Sequence, residues 1–444
     1  MIRKFITLAV GTAIAAGSSA ENRSVVDDHI DSLVTTSRVI NMENGGQRVI
    51  RLDNSETAVE RDSIRGLLET FYYDQFRHSQ DPDAPTFLFM SKNPGMLMGI
   101  GGIVRMRGWY DWGGAMPGNA FVPYMIPITP DPTNSRHFGT TPSGTALYFQ
   151  MIGRSKLGTY RLYIEANFEG YGGLDFHLKK AYAVLGDWTV GYATSTFADP
   201  IAIAPTVDSQ GATNKLSHTD VLVRYMPKIS KHWTAAVSLE TPSTQIDVTK
   251  DMTAKTSGWL PDAAAFIQYQ WGNNEHVRLA GIVRQLGYRD LIEEKNHNLA
   301  GWGLQLSSMA HPHRNVTTYV TVNYGKGYEG LLNDMLAGNY DLVANPDKPG
   351  ELYAPRAYGY SLGAQYNFSE KVFMSANFSQ TRYLPDHEVA GDEYKYGWCA
   401  DVNVFWNVWS RLQLGAEIDL GMRMNMNGDH RYARRAGIMC QFSF

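Results

Sequence analysis

Arginine and carboxylate side chains recur at alternate positions through much of the chain, and they are the residues best placed to do chemistry. In 158–169, Arg161, Glu165 and Glu169 fall on one face of an extended strand, because side chains alternate between the two faces. Other charged residues in such positions are Arg105, Arg107, Arg224, Arg278, Arg284, Arg423, Arg435, Asp175, Glu240, Asp401, Glu417 and Asp419. A dry core could not hold so many charges. The pattern predicts a water-filled interior whose charges act on ions and solutes rather than forming core ion pairs.

Groups that carry catalysis or hold metals are sparse. The sequence contains no Gly-x-Ser-x-Gly, phosphate-loop, His-Glu-x-x-His or Cys-x-x-Cys pattern. His311-Pro312-His313 could offer two imidazoles to a metal, but no third ligand is near in the sequence, which favours a solvated turn. Acid and base candidates for an enzyme are Asp131, His137, Asp386, His387, Asp429 and His430, with no visible pairing. We expect no catalytic residue, no metal and no cofactor.

Strands of period two must position these charges. In the final stretch, 430–444, one face becomes entirely apolar after Arg434 and ends at Phe444. A tilted strand of a transmembrane barrel needs about 9–11 residues and alternates in this way. Sixteen such strands are predicted near 97–111, 145–154, 158–169, 173–184, 187–196, 218–226, 231–240, 263–271, 276–285, 298–307, 315–325, 357–368, 371–382, 394–407, 411–423 and 432–444.

The connections between these strands alternate in length. Links after even-numbered strands are predicted to be short, and one of them runs from Ser308 to Arg314. Links after odd-numbered strands are predicted to be long, with 170–172 as the exception: 112–144, 197–217, 241–262, 286–297, 326–356, 383–393 and 424–431. Long loops at one end and tight turns at the other are typical of outer-membrane barrels. The apolar strand faces have no predicted helices to cover them, which makes lipid the expected cover. The sequence therefore predicts an all-β fold, a transmembrane antiparallel β-barrel of about 16 strands with an inward constriction loop and a short N-terminal periplasmic helix.

The start of the chain differs in composition and periodicity from the predicted strands. Arg3 and Lys4, an apolar run and small residues before a cleavage point after Ala20 predict a signal peptide at 1–20. A periplasmic segment is expected at 21–96, with an amphipathic helix at about 57–78, and the barrel at 97–444. The net charge of −4 argues against nucleic-acid binding. Cys399 and Cys440 are expected to remain unpaired, because they lie on opposite faces of strands that are not neighbours.

The 197–217 loop has an unusual composition for a surface connection. Its first half is apolar at 201–204, and it also carries Asp199, Pro200, Pro205 and Asp208. An apolar loop exposed to water would be unfavourable. We expect it to fold into the barrel and constrict it. The alternative is a surface cap that contacts another subunit.

Several motifs lie around this loop: LGDWTVGYATSTFADP at 185–200, then Pro205-Thr-Val-Asp208, Gly211 and Val223-Arg224-Tyr225. Together they resemble the DcaP-like porins, and MGIGGIVRMRGWYDWGG at 98–114 looks like the first strand of such porins. The resemblance implies a trimeric channel of sixteen strands that passes small organic anions such as dicarboxylates. It also implies a basic wall of Arg105, Arg107, Arg161 and Arg224 opposite Asp199 and Asp208. The heptad repeat that family members carry near the N-terminus is not evident at 21–56, so a trimer stalk is not expected there.

These observations favour a passive porin in the outer membrane of a Gram-negative bacterium, as a homotrimer that contacts lipid and small hydrophilic solutes. Two other classes remain open. An outer-membrane enzyme would cluster acid and base residues on one rim of a narrower barrel. A structural or adhesive barrel would have a closed lumen. A plugged transporter of about 22 strands would need more residues than the 444 of this chain.

Overall fold

Sixteen antiparallel strands close into one barrel. The computed structural model describes residues 48–51, 87–90, 96–114, 116–156, 158–168, 175–216, 218–227, 229–248, 251–272, 275–409 and 411–444. The barrel strands are β1 Met96–Trp112, β2 Ala146–Ser155, β3 Gly158–Phe168, β4 Phe176–Leu185, β5 Trp188–Thr194, β6 Thr219–Tyr225, β7 Trp233–Glu240, β8 Asp262–Trp271, β9 Glu275–Asp290, β10 Lys295–His313, β11 Val316–Lys326, β12 Arg356–Asn367, β13 Val372–Leu384, β14 Tyr394–Trp409, β15 Leu412–Asn425 and β16 His430–Ser443. The predicted number of strands and their order are confirmed.

The chain end closes the barrel. β16 pairs with β1 from Arg434 opposite Trp112 to Ser443 opposite Ile103. The backbone of Phe444 then exchanges two hydrogen bonds with Gly102, of 2.8 and 2.9 Å. A Cβ atom at Gly102 would lie 2.5 Å from the ring of Phe444, so this position requires glycine for the aromatic ring to pack against the seam. The terminal Phe is thus part of the closure.

The strand faces are inverted relative to those of a water-soluble protein. Ile438 is 65% exposed on the outer face of β16, whereas Arg435, three residues earlier, is 1% exposed on the inner face. On β15 the apolar Ile418 is exposed and its neighbours Glu417 and Asp419 are buried. Alternation of apolar outward and polar inward residues predicts this arrangement. Cys399 is buried and Cys440 exposed, and both are free, as expected.

The connections largely follow the predicted alternation. The long ones span 113–145, 195–218, 241–261 and 327–355. The predicted long links 286–297 and 424–431 are wrong, because β9 and β10 continue to a turn at 291–294, and β15 and β16 to a turn at 426–429. Asp290 Oδ1 accepts the N–H groups of Ile292 (2.7 Å) and Glu293 (3.0 Å), and Glu294 has φ 55°, which together make a tight turn.

His311-Pro312-His313 lies at the end of β10, not in a turn as predicted. Pro312 has no N–H to donate to a sheet. The pairing between β10 and β11 shifts register between Ala310 and His313, which accommodates the missing donor. His311 Nδ1 lies 2.9 Å from Thr317 Oγ1, and His313 Nδ1 accepts the N–H of Asn315 at 3.3 Å.

Helical structure in the described part of the chain is limited to short 3-10 turns at Pro123–Met125, Pro132–Asn134, Pro200–Ala202 and Glu329–Leu331. No helix there is long and apolar enough to cross a membrane. The predicted signal peptide at 1–20 and helix at 57–78 lie outside the described residues. The short strands Arg48–Arg51 and Phe87–Met90 pair in parallel, and the second pairs with residues 97–100 of β1.

Candidate functional site inside the barrel

The connection between β5 and β6, which we call the 195–218 segment, lies inside the barrel. Prolines at 200 and 205 prevent a continuous strand, and Pro200 begins a 3-10 turn. Phe197, Ala198 and Ala202 are fully buried. Within the apolar stretch 201–204, Ala202 and Ala204 are buried and the two isoleucines are half-buried, so the stretch is packed inside the barrel and is not fully exposed to water.

The middle of the segment is bonded to strands on the far side of the barrel. Glu417 on β15 accepts the backbone N–H of Val207 (2.7 Å) and of Asp208 (2.8 Å). Asn403 on β14 also accepts from Val207 N, at 2.9 Å. Further bonds reach Ser375 and Ser379 on β13 and Asn323 on β11. Since the segment starts and ends at β5 and β6, these bonds carry it across the interior.

Arg107 and Asp208, two of the predicted site residues, are brought together here. Arg107 Nη1 lies 3.7 Å from Asp208 Oδ2 and donates to Val207 O at 3.4 Å, while Nη2 donates to Ser209 Oγ at 3.2 Å. Arg435 Nη1 donates to the same Asp208 oxygen at 3.2 Å. Arg435 also forms a bidentate pair with Asp111 (2.7 and 3.1 Å). Two arginines and two aspartates therefore clamp the tip of the segment onto β1 and β16.

Asp199 anchors the beginning of the segment on the opposite wall. Its carboxylate accepts from Ser307 Oγ and lies 2.9 Å from His276 Nε2 and 3.7 Å from Arg278 Nε. Burial alone would raise the pKa of Asp199, but Arg278 and His276 outweigh it and hold the pKa well below its ordinary value. Asp199 is thus a buried carboxylate that stays ionised.

The remaining three predicted arginines occupy different surroundings. Arg224 donates from Nε to Thr196 Oγ1 at 2.7 Å and from Nη2 to Thr194 O, so it holds the base of the segment. Arg105 is half-buried on the inner face of β1, where its Nε donates to Met439 Sδ at 3.0 Å. Arg161 is 3% exposed on β3, opposite Ile152 on β2 and Val184 on β4. The six residues thus do not form one cluster.

The expectation that inward charges avoid core ion pairs is wrong for several of them. Arg278, Arg284 and Arg435 are each at most 4% exposed and lie within 4 Å of a buried carboxylate. The cause is that long connections fold into the barrel and exclude water from part of its wall. Hydrogen bonding and opposite charge then offset the cost of burial.

The 327–355 segment, between β11 and β12, is a second connection that packs inside. Asp341 Oδ1 pairs with Arg284 Nη1 at 3.1 Å and accepts from Gly330 N at 2.8 Å. Asp334 accepts from Tyr124 N (2.9 Å) in the 113–145 connection and from Tyr394 Oη (2.6 Å) on β14. Asp334 N in turn donates to Thr213 O at 2.9 Å. Three connections are therefore joined into one layer across the barrel.

Part of the 195–218 segment keeps a polar, accessible edge. Ser209 is exposed, and Thr206 and Lys215 are half-buried. Lys215 Nζ donates to Ser209 O at 3.2 Å and to Gln210 O at 3.0 Å. Together with Arg107 and the half-buried Arg105, this edge is the part of the inner surface where cationic groups meet accessible polar ones.

Sequence reasoning missed most of the partners that hold the segment. Glu417, Asn403 and Asp111 were recognisable only as inward polar residues, and His276 was not singled out. Their contacts join positions more than 70 residues apart, as from Asp199 to His276 and from Asp208 to Arg435. The alternation of a single strand carries no signal of such pairing.

The barrel is similar to solved outer-membrane channels. The DcaP channel of Acinetobacter baumannii superposes with a TM-score of 0.69 at 18% sequence identity, covering 80% of this chain and 99% of that one. An anion-selective porin from Comamonas acidovorans gives 0.53 at 10% identity, covering 79% and 100%. OmpF of Salmonella typhi gives 0.50 at 10% identity, covering 80% and 99%. No protein-family model and no curated protein matches the sequence. At these identities the likeness establishes the fold, and at that level the predicted resemblance to DcaP-like porins is confirmed.

Proposed function

We propose that the protein is an outer-membrane porin through which small hydrophilic solutes diffuse passively. The observation that carries the proposal is the 195–218 segment held across a closed sixteen-strand barrel by polar side chains of β11, β13, β14, β15 and β1. A segment tethered in this way narrows the interior without filling it with apolar side chains. The apolar outer face then contacts lipid, and the barrel lies in the outer membrane of a Gram-negative bacterium.

The polar edge of the segment is the proposed constriction. Arg105 and Lys215 bring partly exposed cationic groups to this edge, whereas Arg107 and Asp208 are paired with each other and are 5% and 8% exposed. A solute therefore meets the partly exposed groups of Arg105 and Lys215 more readily than the buried carboxylate of Asp208. This arrangement favours small organic anions, dicarboxylates among them, over cations.

Arg105 offers the sharpest test of this preference, because it is half-buried on the lumen side. Single channels of the full-length protein in a planar bilayer should show stable conductance steps and a reversal potential on the anion side under a salt gradient. Arg105→Ala should move the reversal potential towards the cation side. Arg289→Ala is the matched control, since Arg289 lies at the end of the β9–β10 hairpin, bonded to Asn296 at 3.0 Å, and should leave the potential unchanged.

Two results would count against the proposal. A reversal potential that moves equally in both variants would remove the role of Arg105. A folded, heat-modifiable barrel without conductance steps would indicate the closed lumen of a structural barrel. The homotrimer and the signal peptide at 1–20 belong to the same proposal, and are tested by the mass of the unheated protein and by the N-terminal residue of the mature chain.

A further inference from the structure

Three ligand-type side chains meet at the base of the 195–218 segment. His218 is its last residue, Asp220 lies on β6 and Glu240 ends β7. The pairing of β6 with β7 places Glu240 opposite Leu222, so Asp220 is its diagonal neighbour on the same inner face. One donor atom from each side chain lies within 4.8 Å of the other two. The strand register thus brings together an imidazole and two carboxylates that are up to 22 residues apart.

The donor atoms of this group are only partly used by the protein. Glu240 is 2% exposed, and its Oε1 accepts from Ser238 Oγ (2.6 Å) and Thr196 N (2.8 Å). Its Oε2 is buried and has no hydrogen-bond partner, and neither has Nδ1 of His218. A buried carboxylate oxygen without a partner is costly in free energy. Arg224 lies near Glu240, but its Nε and Nη2 donate to Thr196 and Thr194, so Glu240 Oε2 keeps room for a further positive group.

The surrounding charge points in the same direction. Asp262 on β8 stands opposite Glu240 in register, and it too has a buried oxygen, Oδ1, without a partner. Its other oxygen pairs with Arg284 Nε at 3.0 Å, but Arg284 is shared with Asp341 at 3.1 Å. Arg284 and Arg224 therefore face four carboxylates, those of Asp220, Glu240, Asp262 and Asp341, which leaves negative charge in excess at this corner.

We propose that His218, Asp220 and Glu240 bind a divalent first-row transition-metal cation of the Zn²⁺ or Co²⁺ type. One imidazole favours such ions over Ca²⁺ and Mg²⁺, which prefer oxygen ligands alone. His218 Nε2 and Asp220 Oδ2 are 3.2 Å apart, a separation that suits two ligands each about 2.0–2.2 Å from one ion. Both side chains are 14% exposed, which leaves the ion open to water on the lumen side.

Such an ion would fasten both ends of the segment at one point. Glu240 already holds Thr196 N, at the start of the segment, and Ser195 N donates to His218 O at 3.2 Å. The site is therefore distinct from the tip at Asp208, and it does not depend on whether the barrel conducts.

Asp290, Glu293 and His297 form a second group of similar composition, which serves as the control. Asp290 Oδ1 is already used by two N–H groups of the turn, and Glu293 is exposed. His297 Nε2 is buried without a hydrogen-bond partner, but neither carboxylate of this group has a buried oxygen without a partner, so we do not propose a site there.

The test is a titration of the chelator-treated, full-length protein in detergent with CoCl₂, followed by visible absorption. We expect one Co²⁺ per chain with ligand-field bands, competition by Zn²⁺ but not by Ca²⁺, and at least a tenfold loss of affinity in His218→Ala and in Glu240→Gln. His297→Ala should bind as the unaltered protein does. Heat-modifiable migration reports folding of each variant.

Two outcomes would overturn the site. If the folded protein shows no saturable Co²⁺ binding, the three side chains do not form a metal site, and the contact between His218 and Asp220 is only a hydrogen bond. Binding that is lost in His297→Ala but kept in the two site variants would move it to the hairpin. If Glu240→Gln does not fold, Asp220→Asn tests the same prediction at a partly exposed ligand.

Discussion

The 195–218 and 327–355 segments lie inside the same barrel but are held by different forces. The first is fixed by ion pairs and charge-assisted hydrogen bonds, at Glu417, at the Arg107–Asp208–Arg435 group and at the Asp199–His276 pair. The second has polar contacts at Asp334 and Asp341 but is held mainly by packing. Its buried apolar and aromatic residues include Tyr328, Leu331, Leu332, Met335, Tyr340 and Leu342.

This difference separates two tasks. Charge-assisted hydrogen bonds are directional and fix a backbone at defined positions while its other face stays in contact with water. Apolar packing contributes more stability but excludes water on all sides. The first segment is thus suited to border a solute pathway, and the second to form a dry wall beside it.

Tyr328→Ala should disrupt the apolar packing of the 327–355 segment and have the largest effect on stability. Tyr328 is fully buried, packs its ring 6.4 Å from that of Phe197 and donates to Ala357 O at 3.2 Å. Truncating a buried aromatic residue costs about 3–5 kcal/mol. The unheated barrel should therefore convert to the unfolded form at a clearly lower temperature on electrophoresis. Leu336→Ala, in the same segment but 49% exposed, should leave that temperature unchanged, and equal shifts would argue against packing as the main force.

Glu417→Ala should affect conductance more than stability. It removes the acceptor of Asp208 N and one of the two acceptors of Val207 N, whose bond to Asn403 remains. A buried N–H left without a partner costs about 1–3 kcal/mol. The tip of the 195–218 segment, still held by Arg107 and Arg435, should loosen on the β15 side, and the single-channel conductance should rise. Glu370→Ala, in the exposed turn between β12 and β13, is the control. An unchanged conductance in a folded Glu417→Ala barrel would show that the tip does not border the pathway.

The sequence was sufficient for the barrel and insufficient for the contacts inside it. Alternation is a local property, so the sixteen strands and the inward position of Arg105, Arg107, Arg161 and Arg224 could be predicted. The error at 286–297 arose because polar residues continue a strand as readily as they form a loop, and only the bonds of Asp290 mark the turn.

The inner layer depends on pairs that no local pattern reveals. The ion pair of Arg284 with Asp341 and the bond of Tyr394 to Asp334 join different connections and strands. The same holds for His218 and Glu240, which the strand register alone brings together. Charged side chains were therefore predicted to face water, whereas several of them hold the connections in place.

The two segments should also respond differently to pH, with a smaller effect than the substitutions above. Burial raises the pKa of Asp334 to about 6, although the hydrogen bonds from Tyr394 and Tyr124 act in the opposite direction, and burial raises the pKa of Glu329 well above its usual range. A raised pKa in the folded state means that stability is fully present below the unfolded value, near 4, and is lost as the pH rises through about 6. The 327–355 segment should be held more tightly at pH 5 than at pH 7. Asp199, whose pKa is lowered, stays ionised over this range and gives the 195–218 segment no such gain.

Hydrogen–deuterium exchange of the intact barrel, corrected for the intrinsic pH dependence of exchange, measures this difference. Amides of 330–338 should be better protected at pH 5 than at pH 7, and Asp334→Asn should reduce the difference because an amide side chain does not titrate in this range. Amides of 197–203, around Asp199, are the internal reference. Equal gains of protection in both segments at pH 5 would mean that acidification stabilises the whole barrel. The two segments would then not differ in the pH dependence of their stability.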